Sequence, residues 1–299
     1  MFHPTFRQLK YLVSVSKSLH FGKAAKECFV SQSTLSSGIQ ELEKLLNVKL
    51  VERTKRKVFL TPLGEKIANK AQSINIEMNN VLDIAKSAQD HMFGETRLGV
   101  IPTIAPYILP RLMPKIRKKY NSVSLKLVED QTANILNMLY AGNLDLVLIA
   151  RPYKVENLHV ELIKKDYFHV ALPRENPLAR TKKKSLSNKD ISNSNILLLD
   201  EGHCLRDHAL QACSKEAKQK IDAFKATSLL TLVQMVANNS GITLLPDLVI
   251  NSELLKSSKI KILDYENNQN YREIAVCWRT STPRSKDFLE FAEFLKKNI

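Results

Sequence analysis

Apolar positions recur at helical spacing through the first ninety residues and, from residue 95 onward, as short runs divided by helical stretches. Phe6, Leu9, Leu12 and Val13 form one apolar face behind the capping-box sequence Thr5-Phe6-Arg7-Gln8, which predicts a first helix. Residues 21–28 predict a short second helix in which the small Ala24 and Ala25 allow close helix contact; Phe29 and Val30 make a turn, and Ser31 caps a third helix. There Leu35, Ile39, Leu42 and Leu46 recur at intervals of 4, 3 and 4 and face inward. The opposite face carries Gln32, Ser33, Thr34, Ser36, Ser37 and Gln40, short hydrogen-bonding side chains suited to phosphates and to base edges in a major groove. A solvated helix face has the same composition, so the next segment decides: Lys49–Arg53 and Lys57–Thr61 read as a small hairpin about Thr54-Lys55-Arg56. Arg53, Lys55, Arg56 and Lys57 then stand where a basic wing reaches neighbouring phosphates, and helix-turn-helix plus wing is a specific arrangement for duplex DNA.

Thr61 and Pro62 read as N-cap and first residue of a further helix running to about His91, ~45 Å long at ~1.5 Å per residue. Along it Ile67, Ala71, Ile74, Met78, Val81, Ala85 and Ala88 alternate at intervals of 4 and 3, the spacing of a coiled-coil seam. The stripe fits packing on the protein's own body or a dimer seam, and a two-fold operator, which needs paired recognition helices, favours the dimer. Beyond residue 95, Arg97–Ile101, Leu125–Val128, Leu144–Ile149, Phe168–Leu172, Ile196–Leu199, Ile242–Leu245 and Ile274–Trp278 read as strands alternating with helices, an α/β pattern. Pro102, Pro106, Pro110 and Pro114 recur every four residues, which predicts an extended lead-in and a kinked helix start rather than a regular helix. The region holds no Gly-rich phosphate loop and no nucleophile elbow, which favours a sensor over a metabolic enzyme.

Composition narrows the field. A chain of 299 residues allows two or three domains, and a net charge of +15 with pI near 9.6 points to a polyanionic partner. Residues 1–90 contribute +6 of that charge and the remaining residues +9, so patterning rather than charge locates the DNA-binding part. Four cysteines make no disulfide framework, the N-terminus has no apolar signal core, and no run of about eighteen uncharged apolar residues occurs, so a cytoplasmic protein without membrane spans is expected.

Cys204 and Cys213 stand in a helix-forming segment with His203, Arg206, Asp207 and His208 around the first. The common fate of an intracellular cysteine is a small buried apolar residue. A helix start at Cys204, with His203 and Arg206 beside it, favours thiolate, whereas Asp200, Glu201 and Asp207 oppose it, and the sign of the balance stays open. Cys204 with His208 has the spacing of half a metal site, but no second ligand pair appears, and no metal is expected. In one helix the nine-residue separation puts the Cα atoms of Cys204 and Cys213 roughly 13 Å apart, beyond the ~7 Å a disulfide allows, so a bond between them requires the helix to come apart.

The N-terminal module resembles the LysR-type transcriptional regulators in Phe21–Val30, Ser31-Gln32-Ser33-Thr34-Leu35-Ser36 and Glu52-Arg53-Thr54. The rest resembles the peroxide-sensing members of that family, in Ile101–Tyr107, Gly202–Asp207, Cys213, Ala226-Thr227-Ser228 and Gly241–Pro246. The resemblance implies an α+β multidomain chain: a winged helix-turn-helix domain over 1–61, a linker and dimerisation helix over 62–91, and an α/β regulatory domain over 92–299. That domain is similar to periplasmic binding proteins, with one subdomain over 92–163 and 268–299, a second over 164–267, and a cleft between them. It further implies a homodimer assembling to a homotetramer on double-stranded promoter DNA, an activator of oxidative-stress genes that contacts RNA polymerase and is not an enzyme. Cys204 becomes the peroxidatic and Cys213 the resolving cysteine, switched by hydrogen peroxide and restored by a glutaredoxin- or thioredoxin-type thiol reductant, with no cofactor. Thr103, Thr132, His203, Asp207 and Arg272 match positions that surround the reacting thiol. Ala223 departs from a position where these members can carry histidine, and Lys225 from arginine; Cys28 and Cys277, in apolar contexts, read as structural. The rival readings are a LysR-type regulator that binds a small co-inducer in the cleft, with incidental cysteines, and a thiol peroxidase with a DNA-binding appendage.

Overall fold

Thr5 opens the N-terminal unit as a cap: its hydroxyl accepts from the Gln8 N–H, and the Gln8 side chain accepts from the Thr5 N–H, starting α1 (Phe6–Ser18). The computed structural model describes residues 3–53, 57–87, 95–120, 124–212, 221–252, 255, 259–266 and 269–299, and the chain divides into two units, Met1–Lys86 and Ser87–Ile299. In the first unit α2 (Phe21–Glu27) is capped by His20 Nδ1, which accepts from the Gly22 and Lys23 N–H groups, and α3 (Gln32–Leu46) is capped by Ser31. Leu9, Leu12, Val13, Phe21, Ala24, Ala25, Leu35, Ile39 and Leu42 form one core. Phe6 is a correction: it lies on the uncovered first turn of α1 and stays 40% exposed.

β1 (Val51–Arg53) and β2 (Val58–Leu60) pair antiparallel, Val51 opposite Leu60. The hairpin is fastened to α3 by Glu43, whose Oε1 accepts from the Leu50 and Val51 N–H groups at 2.8 and 3.0 Å while Oε2 meets Lys49 at 2.9 Å. Burial pushes the Glu43 carboxyl up, but the Lys49 ammonium and the two N–H donors outweigh it and hold it below its ordinary value.

α4 (Pro62–Ser87) is capped by Thr61, whose hydroxyl accepts from the Gly64 N–H at 2.9 Å. Gly64 is required there, because a Cβ would overlap the Leu50 carbonyl. The apolar stripe divides. Ile67, Ala68 and Ala71 pack into the unit's own core, whereas Ile74, Met78, Val81 and Ile84 lie 45–59% exposed. The continuation toward His91, the Ala85 side chain and Ala88 lie outside the described residues.

In the second unit β3 (Glu95–Val100), α5 (Ala105–Lys119), β4 (Ser124–Glu129), α6 (Thr132–Tyr140) and β5 (Leu146–Arg151) alternate, with β3 parallel to both β4 and β5. β6 (Leu158–Pro173) is long and changes partners along its length. Its first part pairs with β12 (Tyr271–Arg279), which also pairs with β5; from Phe168 it pairs with β10 (Thr243–Pro246) and β11 (Ile260–Tyr265). β11 also pairs with the two-residue β7 (Ser185–Leu186), ahead of α7 (Asn188–Ile191). A separate parallel pair, β8 (Ile196–Leu199) and β9 (Ile221–Ala226), flanks α8 (Cys204–Ala212), with α9 (Leu229–Ala237), α10 (Asp247–Ile250) and α11 (Ser285–Asn298) completing the unit.

The proline expectation is corrected, for α5 runs through Pro110 and Pro114. Pro106, Pro110 and Pro114 share one exposed face, where a carbonyl that loses its donor can be solvated, while Ile108, Leu112 and Ile116 stay buried on the other side. Every strand expected from an apolar run has a counterpart, and β7, β9, β11 and the first part of β6 add to them. Among the described residues no helix is long and apolar enough to cross a membrane.

Candidate functional site

Three strand-to-helix turns of the regulatory unit meet around one thiol. β3 leads to Thr103 before α5, β4 leads to Gln131 and Thr132 at the start of α6, and β8 leads through Gly202 and His203 to Cys204, the first residue of α8. Together they line a tight crevice, too narrow for a water-sized sphere, at the carboxyl ends of parallel strands, the position where α/β sheets place ligands. Cys204 is 5% exposed and belongs to the apolar core with Leu205 and Ala209.

Behind the crevice lies Arg272 of β12, fully buried. Its Nε donates to Asp166 Oδ2 at 2.8 Å, one terminal nitrogen to the Thr103 hydroxyl at 2.9 Å and the other to the Thr103 carbonyl at 3.1 Å. Asp166, also fully buried, accepts the Leu248 N–H on its other oxygen at 2.9 Å. The Thr103 oxygen already accepts from Arg272, which leaves its own proton to turn toward the crevice. The buried Thr132 hydroxyl stands beside the thiol and favours its charged form, without a hydrogen bond of ordinary geometry.

The electrostatic balance left open by the sequence has a direction here. Burial pushes the Cys204 thiol up; the Arg272 charge and the Thr132 hydroxyl pull it back in part, and Asp207 adds to the rise. The helix start alone does not make a thiolate. His203 is buried, and burial lowers its pKa against the opposing pull of Asp200, so it stands neutral beside the sulfur. Arg206 turns away and donates to the Leu199 carbonyl at 3.0 Å, and Asp207 is exposed. His208 Nε2 donates to the Pro152 carbonyl at 3.0 Å, and burial lowers its pKa too. Among the described residues no three metal-ligating side chains gather. Cys277 is buried with its thiol pushed up to about 12 by desolvation, and burial also raises that of Cys28. Cys213 and the side chains of Ala223 and Lys225 lie outside the described residues.

On the N-terminal unit Gln32, Ser33, Thr34, Ser37 and Gln40 are exposed along α3, with Ser36 half-buried. Arg53 is a strut: its guanidinium lies 3.7 Å above the Phe21 ring and donates to the Ser36 hydroxyl at 3.1 Å, tying the hairpin to α2 and α3. Lys57 is exposed, while Lys55 and Arg56 lie outside the described residues. The sequence reading passed over Asp166, Glu43 and Gln131. Asp166 had a signal, an acid two residues before the apolar run Phe168–Leu172, where a buried charge demands a partner.

A capped helix-turn-helix with a hairpin, joined through a long helix to an α/β unit with a lined crevice, defines a DNA-binding regulator with a sensor domain. The family description "Bacterial regulatory helix-turn-helix protein, lysR family" matches residues 6–65, and "LysR substrate binding domain" matches 89–299. The chain belongs to the LysR family of transcriptional regulators. It is similar to the transcriptional regulator EstR of Acinetobacter baylyi, 39% identical over 98% of this chain and 97% of that one. The dual regulator OxyR of Escherichia coli is 33% identical over 98% of this chain and 95% of its own length. Among solved structures, a full-length OxyR variant from Pseudomonas aeruginosa matches with a TM-score of 0.80 at 30% identity, covering 99% of this chain and 96% of that one.

Proposed function

We propose that this chain is a hydrogen-peroxide-sensing regulator switched by a reversible disulfide between Cys204 and Cys213. The observation that carries the reading is the Cys204 thiol, set in a narrow crevice between two threonine hydroxyls with the only fully buried guanidinium among the described residues behind it. Similarity to OxyR and to relatives named hydrogen peroxide-inducible genes activators supports it. The thiolate attacks one peroxide oxygen: the S–O bond forms, the O–O bond breaks, and the departing hydroxide takes a proton and leaves as water. Thr103 and Thr132 hold the peroxide oxygens, and Arg272 stabilises both the thiolate and the charge growing on the leaving oxygen. The sulfenic acid then condenses with Cys213, releasing a second water, so the two electrons taken from the thiols equal the two accepted by the peroxide. A glutaredoxin- or thioredoxin-type reductant reverses the step.

Because α8 runs as helix from Cys204 to Ala212, ~12 Å, and Cys213 follows next in the chain, closing the bond unwinds α8 and pulls Leu205 and Ala209 from the core. That repacking is the two-state change transmitted through the subdomains, 92–163 with 268–299 and 164–267, to a tetramer on promoter DNA and to RNA polymerase. The test is a thiol count under sub-stoichiometric peroxide. Wild type, with four cysteines, should lose two thiols per peroxide consumed, and Cys204→Ser none. Both Cys204 and Cys213 remaining free in peptide maps of treated wild type would end the proposal.

Dimerisation runs through the exposed Ile74, Met78, Val81 and Ile84. Ile74→Glu places a charge on that seam and should weaken the dimer more than about tenfold, with operator affinity falling in parallel. Sedimentation equilibrium showing an unaltered dimer would remove the seam.

A second reading, a small co-inducer, draws on the EstR similarity and on a cavity of about 400 Å3 lined by Arg151, Pro152, Phe168, His208, Tyr271 and Glu273. It expects a metabolite to raise thermal stability in the Cys204→Ser protein as much as in wild type.

A further inference from the structure

Gln131 sits at the mouth of the thiol crevice. Its backbone is fixed, the N–H donating to Asp130 Oδ1 at 2.7 Å and the carbonyl accepting from Ile135 at the start of α6. Its side chain reaches across to the backbone of Gly202 on the opposite lip. A Cβ at Gly202 would lie 3.0 Å or less from Oε1, Cδ and Nε2 of Gln131, so the amide occupies the space that any side chain at 202 would need. Gly202 also has φ +89°, a conformation that favours glycine. Among the described residues Gln131 hydrogen-bonds only through its backbone, so no hydrogen bond holds its amide in place against Gly202. Gln131 is half-buried and Gly202 exposed, whereas Thr103, Thr132 and Cys204 beneath them are buried. The amide therefore belongs to the partly exposed lip of the crevice that holds the buried thiol.

The crevice, mouth included, holds about 150 Å3 between its atoms but no space into which a water-sized sphere fits, so any oxidant enters only as the lip moves. A water molecule occupies roughly 30 Å3, and hydrogen peroxide adds one oxygen to that. An alkyl hydroperoxide brings a carbon body that has to cross the amide. Chemistry at sulfur does not separate the two oxidants. With either, the thiolate attacks one oxygen, the S–O bond forms, the O–O bond breaks, and hydroxide or alkoxide leaves and takes a proton. Any discrimination has to come from access.

We propose that Gln131 is a steric gate that admits hydrogen peroxide to Cys204 and excludes alkyl hydroperoxides, an inference that rests on the peroxide reading above. The gate works by bulk: shortening the side chain opens it, and an isosteric apolar side chain keeps it closed. The experiment follows loss of the Cys204 thiol in the full-length protein with hydrogen peroxide and with tert-butyl hydroperoxide, for wild type, Gln131→Ala and Gln131→Met. The quantity read is the ratio of the two rate constants, which a general loosening of the fold does not move in one direction. Gln131→Ala should shift that ratio toward tert-butyl hydroperoxide by about tenfold or more, the scale on which steric fit discriminates. Gln131→Met should stay within about threefold of wild type. A wild-type ratio in Gln131→Ala, or a Gln131→Met protein as permissive as the alanine variant, overturns the gate and leaves the peroxide reading standing. Wild-type protein whose Cys204 stays reduced under hydrogen peroxide overturns both.

Discussion

Replacing Arg272 with methionine should destabilise the regulatory unit by about 3–5 kcal/mol and slow the oxidation of Cys204, because it strips the partner from a fully buried carboxylate and the positive charge from behind the thiol. Asp166 would keep only the Leu248 N–H, and the Thr103 hydroxyl and carbonyl would lose their donors. The stability effect and the chemical effect separate in a second variant. Arg272→Met with Asp166→Leu removes both charges and should recover much of the lost stability, since a buried ion pair replaced as a whole is nearly neutral. Reactivity should not recover with it. Urea unfolding reads the first and peroxide kinetics the second; Arg272→Met within about 1 kcal/mol of wild type would show that Asp166 is satisfied some other way. The pH profile carries the same physics. Burial raises the Cys204 thiol pKa, so the thiolate is a small fraction near neutrality, and the wild-type oxidation rate should climb about tenfold per pH unit through that range. Removing Arg272 takes away the largest contribution that lowers the thiol pKa, which moves the climb to still higher pH.

Cys213→Ser should hold Cys204 as sulfenic acid after one peroxide per chain, passing to sulfinic acid only as a second peroxide is consumed, and it should leave α8 wound. Oxidised wild type should differ most in hydrogen exchange. Amides from Asp207 to Ala212 are protected by the helix and by the burial of His208 and Ala209, and should exchange at least about a hundredfold faster once the disulfide has pulled the helix open. Unchanged protection across those amides in protein that has demonstrably lost two thiols would mean that the bond closes without unwinding. The His208 tie to the Pro152 carbonyl should then also survive, whereas unwinding requires it to break.

Much of this protein was legible before any coordinates, and the legible part is local. Thr5 with Gln8, Ser31 before α3 and Thr61 before α4 act within three residues of themselves, so short-range spacing specifies them. The apolar intervals of α3 and the strand runs around Leu98, Leu148 and Leu198 follow from periodicity over one window. The helix start at Cys204 is of the same kind. What the chain could not reveal along its length is everything that depends on remote packing. The α4 stripe has one uniform spacing, yet Ile67 and Ala71 face the unit's own core while Ile74 onward does not, a division decided by where the three-helix core ends. α5 keeps helical form through two prolines because its opposite face is buried, which propensity alone does not count. The direction of the Cys204 shift was undecidable from neighbours such as Arg206 and His203, since one turns away and the other is neutral. It is set by burial, against the opposing charge of Arg272, which is joined to Asp166 across 106 residues and to Thr103 across 169. Caps and periodicities are properties of a few consecutive residues, but a buried charge and its partners meet only when separate strands close on one another, and that closure is the tertiary structure's own contribution.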